Sequence, residues 1–396
     1  MRIALIAPPW LPVPPPAYGG IEAVIDRLAR GFDAAGHEVL LYTTGDSTCP
    51  VPRRWTLPRH ASERAGRSLE ELRHVIAAYG AVGAYDIVHD HTLVGPQYAR
   101  ALSRPPVVTT AHFPIGGEHH DLYRALAGRV PIIAVSWSQL VPDVPVSAVI
   151  PHGLELRDFP VGSGDGDYLL FLGRMDPSKG VEEAVRAARR IGARLLVAAK
   201  MHMPWERAYF EERVRPLLGA DIEYLGEPTA PERLALLQGA RALVFPIRWP
   251  EPFGLVMVEG LACGTPVVVT AVGAAPEIIE DGITGFLADD EQGLDHALRR
   301  VGELDRAACR RAAEERFSAK RMVAAHLAHF ERLLARQSVR IPVAPGTRTR
   351  APVSAARSPG RPTEGLKPPW QASPEANIAV APNLKEPAVP WPTGRR

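Results

Sequence analysis

The chain has little cysteine: Cys49, Cys263 and Cys309 are far apart, and their number is odd. This argues against a disulfide framework and favours a reducing compartment. No spacing among the three suits zinc. No run approaches the ~20 apolar residues of a membrane helix, and Met1–Pro8 is too short and too weakly basic for a signal peptide. We therefore expect a soluble cytoplasmic protein without a transmembrane segment.

A strong excess of either charge is also missing, since the formal net charge is only +2. Residues 341–396 carry 8 Lys/Arg and 3 Asp/Glu, so the rest of the chain is mildly acidic, with 38 basic against 41 acidic side chains. Such a surface has no broad basic footprint and predicts no nucleic-acid partner. The last 56 residues also contain 12 prolines and no apolar periodicity, which is typical of disorder. A passive tail is favoured, with docking of a partner through its Trp-containing segments as the alternative.

What the chain does contain is a regular alternation of short β-type runs with helical stretches. This alternation predicts parallel, doubly wound sheets. A glycine- and aspartate-rich stretch, residues 162–167, interrupts the alternation, which then restarts and so indicates two α/β halves. The predicted strands are Ile3–Ala7, Val39–Thr43, Ile87–His89, Val107–Thr110, Ile132–Val135, Tyr168–Leu172, Leu195–Ala199, Ile222–Leu225, Leu243–Phe245 and Val267–Thr270.

The block between Glu251 and Glu259 is the most informative part of the sequence. The two acids are eight residues apart and flank a Pro-Phe-Gly turn and a short apolar helical stretch. Backbone N–H groups of Phe253, Gly254 and Leu255 should point outward at this helix start, where anions bind. Two hydroxyl-binding carboxylates beside such a helix end would suit a sugar nucleotide, which has a diol at each end and a diphosphate in the middle.

This block resembles the E-x7-E region of the retaining glycosyltransferases of family 4, and the resemblance runs over roughly residues 1–335. It implies an α/β fold of the GT-B type, with two Rossmann-like, doubly wound domains facing across a cleft. The implied boundaries are 1–157 for an N-terminal acceptor-side domain, 158–317 for a donor domain that binds the nucleotide sugar, 318–337 for a helix crossing back to the first domain, and 338–396 for the Pro-rich, basic, disordered tail.

The resemblance also assigns roles to single residues. Glu259 would hold the ribose hydroxyls and Glu251 would contact the transferred sugar. The run Gly173–Gly180 matches the family's G-R-x4-K-G spacing, in which Arg174 and Lys179 neutralise the diphosphate leaving group.

Two features of the N-terminal half match the family as well. Gly19 and Gly20 open the first helix and match the family's glycine loop, where a diphosphate can approach bare backbone amides. The stiff proline-rich loop before them would shape an acceptor pocket. His112, at the end of a predicted strand, matches a family histidine beside the donor sugar.

The implied function is retaining transfer of a sugar from a nucleoside-diphosphate sugar to an unidentified acceptor. It needs no tightly bound cofactor and no metal. In the family the acceptor attacks on the same face while the leaving phosphate takes its proton. Two alternatives remain open: an epimerase of the same fold that acts on a nucleotide sugar, and a non-catalytic nucleotide-sugar sensor.

Several features carry competing interpretations. His89 and His91, with His112, suggest a metal centre as a less favoured alternative. The D-x-D pattern at 165–167 is interpreted as a turn, and Lys200 as a solvated lysine rather than a donor contact. His152 stands where the family usually has Asn.

A second departure from the family follows Gly273, where Ala274 replaces a common second glycine. This change puts in doubt the backbone shape that places Glu277.

Overall fold

The computed structural model describes residues 1–99 and 105–339, which form two parallel β-sheets with helices on their faces. Both sheets belong to one compact unit. Residues 340–396, nearly all of the predicted disordered tail, lie outside the described residues. None of the helices in the described part is long and apolar enough to cross a membrane.

The first sheet has seven parallel strands in the order β3-β2-β1-β4-β5-β6-β7. Its strands are β1 (Arg2–Ile6), β2 (Glu38–Thr43), β3 (Arg53–Trp55), β4 (Ile87–Asp90), β5 (Val107–Thr110), β6 (Ile132–Ala134) and β7 (Ala148–Val149). The helices of this half are α1 (Gly20–Ala34), α2 (Ser68–Ala81), α3 (Gly95–Ala99) and α4 (His120–Leu126).

The second sheet has six parallel strands in the order β10-β9-β8-β11-β12-β13. Its strands are β8 (Leu169–Arg174), β9 (Leu195–Lys200), β10 (Ile222–Gly226), β11 (Ala242–Phe245), β12 (Val267–Thr270) and β13 (Gly285–Ala288). The helices that follow β8 are α5 (Val181–Ile191), α6 (Pro204–Tyr209), α7 (Ala230–Gly239), α8 (Leu255–Ala262), α9 (Ala275–Ile278), α10 (Glu291–Arg300), α11 (Arg306–Arg316) and α12 (Ala319–Val339).

Burial on both faces explains why the central strands are apolar without alternation. In β1, Ile3 and Leu5 belong to the core under α1 and α12, whereas Ala4 and Ile6 belong to the core on the opposite face. A parallel sheet covered by helices on both sides needs apolar residues at every position. The second half has one continuous core of its own.

Strand order reverses once in each sheet, between β1 and β4 in the first and between β8 and β11 in the second. In open α/β sheets, ligands bind at such switch points, outside the carboxyl ends of the strands. Gly19–Gly20, His91, Arg174 and Glu251 lie at the carboxyl ends of these four strands or after them. The topology thus directs the predicted site residues to one region.

The last helix, α12, packs against α1 of the first half although it follows the second half in sequence. Phe330 of α12 meets Phe32 of α1 with ring centroids 5.6 Å apart. Gly31 admits this contact because a Cβ there would lie 2.3 Å from Cγ2 of Val323. This contact joins the C-terminal end of the described chain to the first domain.

The structure confirms the prediction of two parallel-sheet α/β halves. It adds three strands that the sequence pattern did not indicate: β3, β7 and β13. The predicted turn at 165–167 is a bend that precedes β8. The exact domain limits, 157/158 and 317/318, stay predictions.

Five histidine rings, four of them buried and that of His112 half-buried, form a chain from the core under α12 to the cleft. We name them the histidine cluster: His89, His91, His112, His152 and His326. Neighbouring ring centroids lie 4.0–5.6 Å apart. Burial lowers the pKa of every member, to about 3 for His112 and about 4 for His326. The folded protein therefore holds these rings neutral.

We expect the fold to lose stability steeply as pH falls below about 6.5. Histidines of the unfolded chain take up a proton near that pH, whereas those of the folded cluster stay neutral. The cluster's full contribution to the free energy of unfolding is therefore present above pH 6.5 and is lost as the pH falls towards about 4. Each such histidine contributes about 1.4 kcal/mol per pH unit. The ring of His326 contacts Phe32 and Phe330, so phenylalanine suits the site. Between pH 7.5 and 5.5, the free energy of unfolding of His326→Phe should fall by about 1.4 kcal/mol less than that of wild type.

Urea unfolding at the two pH values measures this difference. His296→Asn, at an exposed position outside the cluster, is the control and should behave as wild type. Equal losses in wild type and His326→Phe would contradict the expected pH dependence.

Candidate functional site

A cavity of about 1480 Å³ lies between the two halves at their switch points. All but one of the residues predicted for the site line it, and the exception is Lys179, which lies just behind the wall. The lining residues are Gly19, Gly20, His112, Arg174, Glu251, Phe253, Gly254, Leu255 and Glu259.

Two helix starts meet at this cavity. A Cβ on Gly20, the first residue of α1, would lie 3.5 Å from Cδ1 of Leu255, the first residue of α8. Neither helix has a side-chain cap. Within the described residues, no group accepts a hydrogen bond from the amides of Gly20, Ile21 or Leu255. Converging free amides at two positive helix ends form a site for an anion.

Glycine at the start of α8 is required by the backbone. Gly254 has φ 85°, in the left-handed region that side chains disfavour. A Cβ there would also approach Cε of Met257 to 2.5 Å. This conformation turns the chain from the Pro-Phe-Gly segment into α8 and leaves the amides at the helix start open.

Arg174 ends β8 and reaches the cavity with a side chain that is 43% exposed. Its Nε lies 3.5 Å from Oε1 of Glu206, a buried carboxylate at the start of α6. Glu206 also accepts hydrogen bonds from the amides of His202 and Met203, at 2.6 and 2.8 Å. The guanidinium is thus anchored on one side and open to a ligand on the other.

Lys179 forms a largely buried ion pair with Glu251, a residue of the cavity wall. The ammonium donates to Oε2 of Glu251, and the two side chains are only 11% and 13% exposed. The ammonium nitrogen of Lys179 also lies 4.4 Å from the centroid of the Trp249 ring. Nε1 of Trp249 donates a hydrogen bond to the same Glu251 oxygen at 2.6 Å. A lysine has three donors, so the ammonium has donors beyond the one that it gives to Glu251.

The backbone of Glu251 is fixed by the segment after β12. Gly273 packs so closely that a Cβ there would lie 2.4 Å from the Glu251 nitrogen. The Ala274 amide donates to the Glu251 carbonyl at 2.9 Å. Glu277 then reaches the first half, where its carboxylate accepts from the amides of residues 137 and 138 at 2.8 and 2.6 Å. The alanine at 274 is therefore compatible with an ordered Glu277.

Glu259 lies on α8, is 6% exposed, and faces two arginines from different halves. Arg233 of α7 lies 3.7 Å from its carboxylate. Arg27 of α1 also lines the cavity, and its Nη1 is buried without a hydrogen-bond partner. Its burial lowers the pKa of the Arg27 guanidinium, an effect that Glu259 partly opposes.

His112 follows β5 and lines the cavity, and its orientation is set by a neighbouring ring. Its Nε2 lies 2.9 Å from Nδ1 of His91. His152, which replaces the usual Asn, stacks on it with centroids 5.6 Å apart and contacts the Phe253 ring at 5.1 Å. The ring is neutral, because burial lowers the pKa of His112 to about 3.

The structure gives no support to the metal-centre alternative at these histidines. His91 and His112 turn nitrogens towards each other, and Nε2 of His89 lies 2.8 Å from Oγ1 of Thr110. No group of His, Cys, Asp or Glu within the described residues is arranged to hold a metal ion.

Sequence reasoning missed several groups in the cleft. Lys200, interpreted as solvated, is instead half-buried: its Nζ lies 3.4 Å from the Tyr18 carbonyl and 5.8 Å from the centroid of that ring, and burial lowers its pKa. The Tyr18 amide donates to Glu227 at 3.2 Å. Glu22, in the first turn of α1, lines the cavity, and burial raises its pKa to about 7. Two sequence features could have indicated these contacts: Tyr18 directly precedes Gly19-Gly20, and Lys200 lies at a strand end.

Comparison with known proteins agrees with this geometry. Residues 18–141 match the family model for Glycosyltransferase Family 4, and residues 166–303 match the model for Glycosyl transferases group 1. Together the two models span well over half of the chain. The chain is 28% identical to the D-inositol 3-phosphate glycosyltransferase of Mycolicibacterium smegmatis. The alignment covers 91% of this chain and 95% of that protein.

Solved structures show the same fold. AviGT4, a glycosyltransferase involved in avilamycin A biosynthesis, is 28% identical with a TM-score of 0.64, over 84% of this chain and 98% of that one. Anabaena Alr3699/HepE, solved with UDP-glucose, has a TM-score of 0.66 at 18% identity, over 83% and 99% of the two chains. From the two family models, the fold and these relatives, the chain belongs to the family 4 glycosyltransferases, enzymes with the GT-B fold.

Proposed function

We propose that this enzyme transfers a sugar, with retention of anomeric configuration, from a nucleoside-diphosphate sugar to an acceptor hydroxyl. The observation that carries the proposal is the convergence of two uncapped helix starts on one cavity, with Arg174 in the same lining and Lys179 paired with the lining residue Glu251. A diphosphate matches this arrangement of free amides and cations. HepE, which shares the fold, was solved with UDP-glucose.

The remaining donor contacts follow from the two acids. Glu259 of α8, beside Arg233, would hold the ribose hydroxyls of the nucleotide. Glu251, fixed by Lys179 and Trp249, would accept hydrogen bonds from the transferred sugar. Hydrogen bonds to charged groups contribute about 1.5–3 kcal/mol each. His112 would contact the same sugar from the first half.

The transfer step runs on one face of the sugar. The bond between the anomeric carbon and the phosphate oxygen breaks, and the acceptor oxygen bonds to that carbon on the same side. The departing phosphate oxygen takes the proton of the acceptor hydroxyl. Charge grows on the diphosphate as its bond breaks, so Arg174 and Lys179 stabilise the transition state more than the ground state.

Nucleotide binding tests the proposal first. We expect one of UDP, GDP and ADP, at 100 times its Kd, to stabilise the protein by about 2.7 kcal/mol, measured as a rise in melting temperature. Glu259→Gln should lose most of that rise, because the amide cannot replace the charged ribose contact.

The control is Glu303→Gln, at an exposed position in an ion pair with Arg300, which should respond to the nucleotide as wild type does. Absence of a rise with all three nucleotides would overturn the donor assignment. If a donor binds, NMR of the products distinguishes a retained glycoside from an inverted one and from an isomerised donor.

We also propose that the reaction takes place in the cytoplasm. The three cysteines are buried and free of disulfides, which supports a reducing compartment. Fractionation of the source cells, followed by activity assay, tests this location.

A further inference from the structure

The wall of the cavity that faces the donor site from the first half is formed by the loops after β1, β4 and β5 and by residues 62–71. We name it the acceptor wall. Its large apolar side chains are Trp10, Leu11, Leu93, Val94 and Phe113. Together with prolines of the first loop they present a hydrophobic surface beside the proposed site of transfer.

Cations are confined to other parts of the cavity. Arg157, Arg174, Lys200, Arg233 and Lys320 come from elements outside the acceptor wall, and Lys200 lies 3.4 Å from the Tyr18 carbonyl at the end of the loop after β1. Those from α1, Arg27 and Arg30, lie beyond its first turn. Within the described residues, the acceptor wall itself contributes no lysine or arginine to the cavity lining.

The histidines of the acceptor wall add no positive charge. Burial holds the pKa of His91 well below its usual value and lowers that of His112 to about 3. Both rings are therefore neutral at physiological pH. Among the described residues of this wall that line the cavity, the ionisable carboxyl group is that of Glu71, which is 5% exposed.

Backbone amides could replace a missing cation, but those of the loop after β4 are already used. The Leu93 amide donates to Oε1 of Glu71 at 2.8 Å. The Thr92 amide donates to Oδ1 of Asp90 at 2.8 Å, and the Gly95 amide to Oγ1 of Thr92 at 2.9 Å. The protein's own acceptors thus occupy the donors at which a phosphate would bind.

From this distribution we infer that the acceptor is an uncharged hydroxyl compound with an apolar face, such as a glycoside with an aryl or alkyl aglycone, rather than a phosphorylated sugar or polyol. The inference rests on the proposed transferase function and names its second substrate class. A phosphate beside Leu93 and Val94 would lose hydration without a lysine or arginine of the acceptor wall and without a free amide of Thr92, Leu93 or Gly95, which is costly. An apolar aglycone would instead bury surface against Trp10, Leu93 and Phe113.

A matched pair of probes tests the inference: 4-nitrophenyl glucoside and its 6-phosphate, which differ only in the phosphate. Both are titrated, with saturation-transfer NMR, against protein saturated with the nucleoside diphosphate that binds it, so the diphosphate site is blocked. We expect the neutral glucoside to bind at least about tenfold more tightly, a difference of about 1.4 kcal/mol. Glucose without the aryl group should bind more weakly than the aryl glucoside.

Two variants locate the binding on the acceptor wall. Trp10→Ala should weaken binding of the neutral glucoside, and Leu93→Arg, which adds a cation, should shift the preference towards the 6-phosphate. Tighter binding of the 6-phosphate to wild type, or no binding of either probe, would overturn the inference. A retained melting-temperature rise with the nucleotide would then show that the donor proposal stands although the acceptor inference has failed.

Discussion

Arg174→Ala is expected to lower kcat/KM by roughly 10²–10³, which corresponds to about 3–4 kcal/mol of transition-state stabilisation. The guanidinium lines the same cavity as the starts of α1 and α8, and its Nε lies 3.5 Å from the Glu206 carboxylate. As the glycosidic bond breaks, negative charge accumulates on the diphosphate, and a preorganised cation lowers the barrier most at that moment. Release of nucleoside diphosphate from the donor, with and without acceptor, measures the loss.

The fold should survive this substitution because the Arg174 side chain is 43% exposed and its ion pair with Glu206 is at 3.5 Å. Glu206 keeps its two backbone hydrogen bonds in the variant. Arg241→Ala is the matched control, since Arg241 is similarly exposed, at 45%, and pairs with Asp167 in the segment before β8. Turnover of Arg174→Ala within a few-fold of wild type would remove Arg174 from the proposed mechanism.

The split between kcat and KM adds a second check. If Arg174 acts on the leaving group during bond breaking, kcat falls and the affinity for the donor falls less. If Arg174 only holds the ground-state diphosphate, KM rises while kcat stays constant. The first pattern is expected, because the free amides at the starts of α1 and α8 still hold the diphosphate in the variant.

The sequence predicted the sheets and the helix starts because these depend on local patterns. Buried strands such as Val107–Thr110 and Val267–Thr270 have apolar, β-branched runs, and their bounds were predicted as observed. β3 was not predicted because it is an edge strand, Arg53–Trp55, with mostly exposed side chains. β13 escaped because it begins at Gly285, where the backbone of Val267 leaves no space for a Cβ. Strands at a sheet edge, and strands that begin with a glycine in close backbone contact, are hard to predict because their residues lack the apolar, β-branched composition of buried strands.

The contacts that tune the site were less accessible to sequence reasoning. Lys179 and Glu251 are 72 residues apart, and their pairing depends on how β8 and β11 lie side by side. Tyr18 and Lys200 are 182 residues apart and meet only because the two halves face each other. The family resemblance supplied candidate residues, whereas the tertiary structure supplies their present partners.

Lys179→Met is expected to cost both activity and stability. Removal of one partner leaves the carboxylate of Glu251 largely buried without its cation, and breaking such a pair typically costs about 3–5 kcal/mol. The variant should also lose roughly 10²–10³ in kcat/KM, because the diphosphate loses a stabilising charge. Urea unfolding and steady-state kinetics on the same preparation measure the two effects.

The double variant Lys179→Met/Glu251→Gln separates these effects. A neutral amide in place of the carboxylate removes the unpaired charge, while its oxygen still accepts the hydrogen bond from Trp249. The double variant should therefore recover most of the stability that Lys179→Met loses, and none of the activity. Recovery of activity along with stability would show that Lys179 serves the fold alone, and a double variant no more stable than the single one would contradict the buried-charge explanation. The expected combination, restored folding without turnover, assigns to the Lys179–Glu251 pair a role in transfer that is separate from its role in the fold.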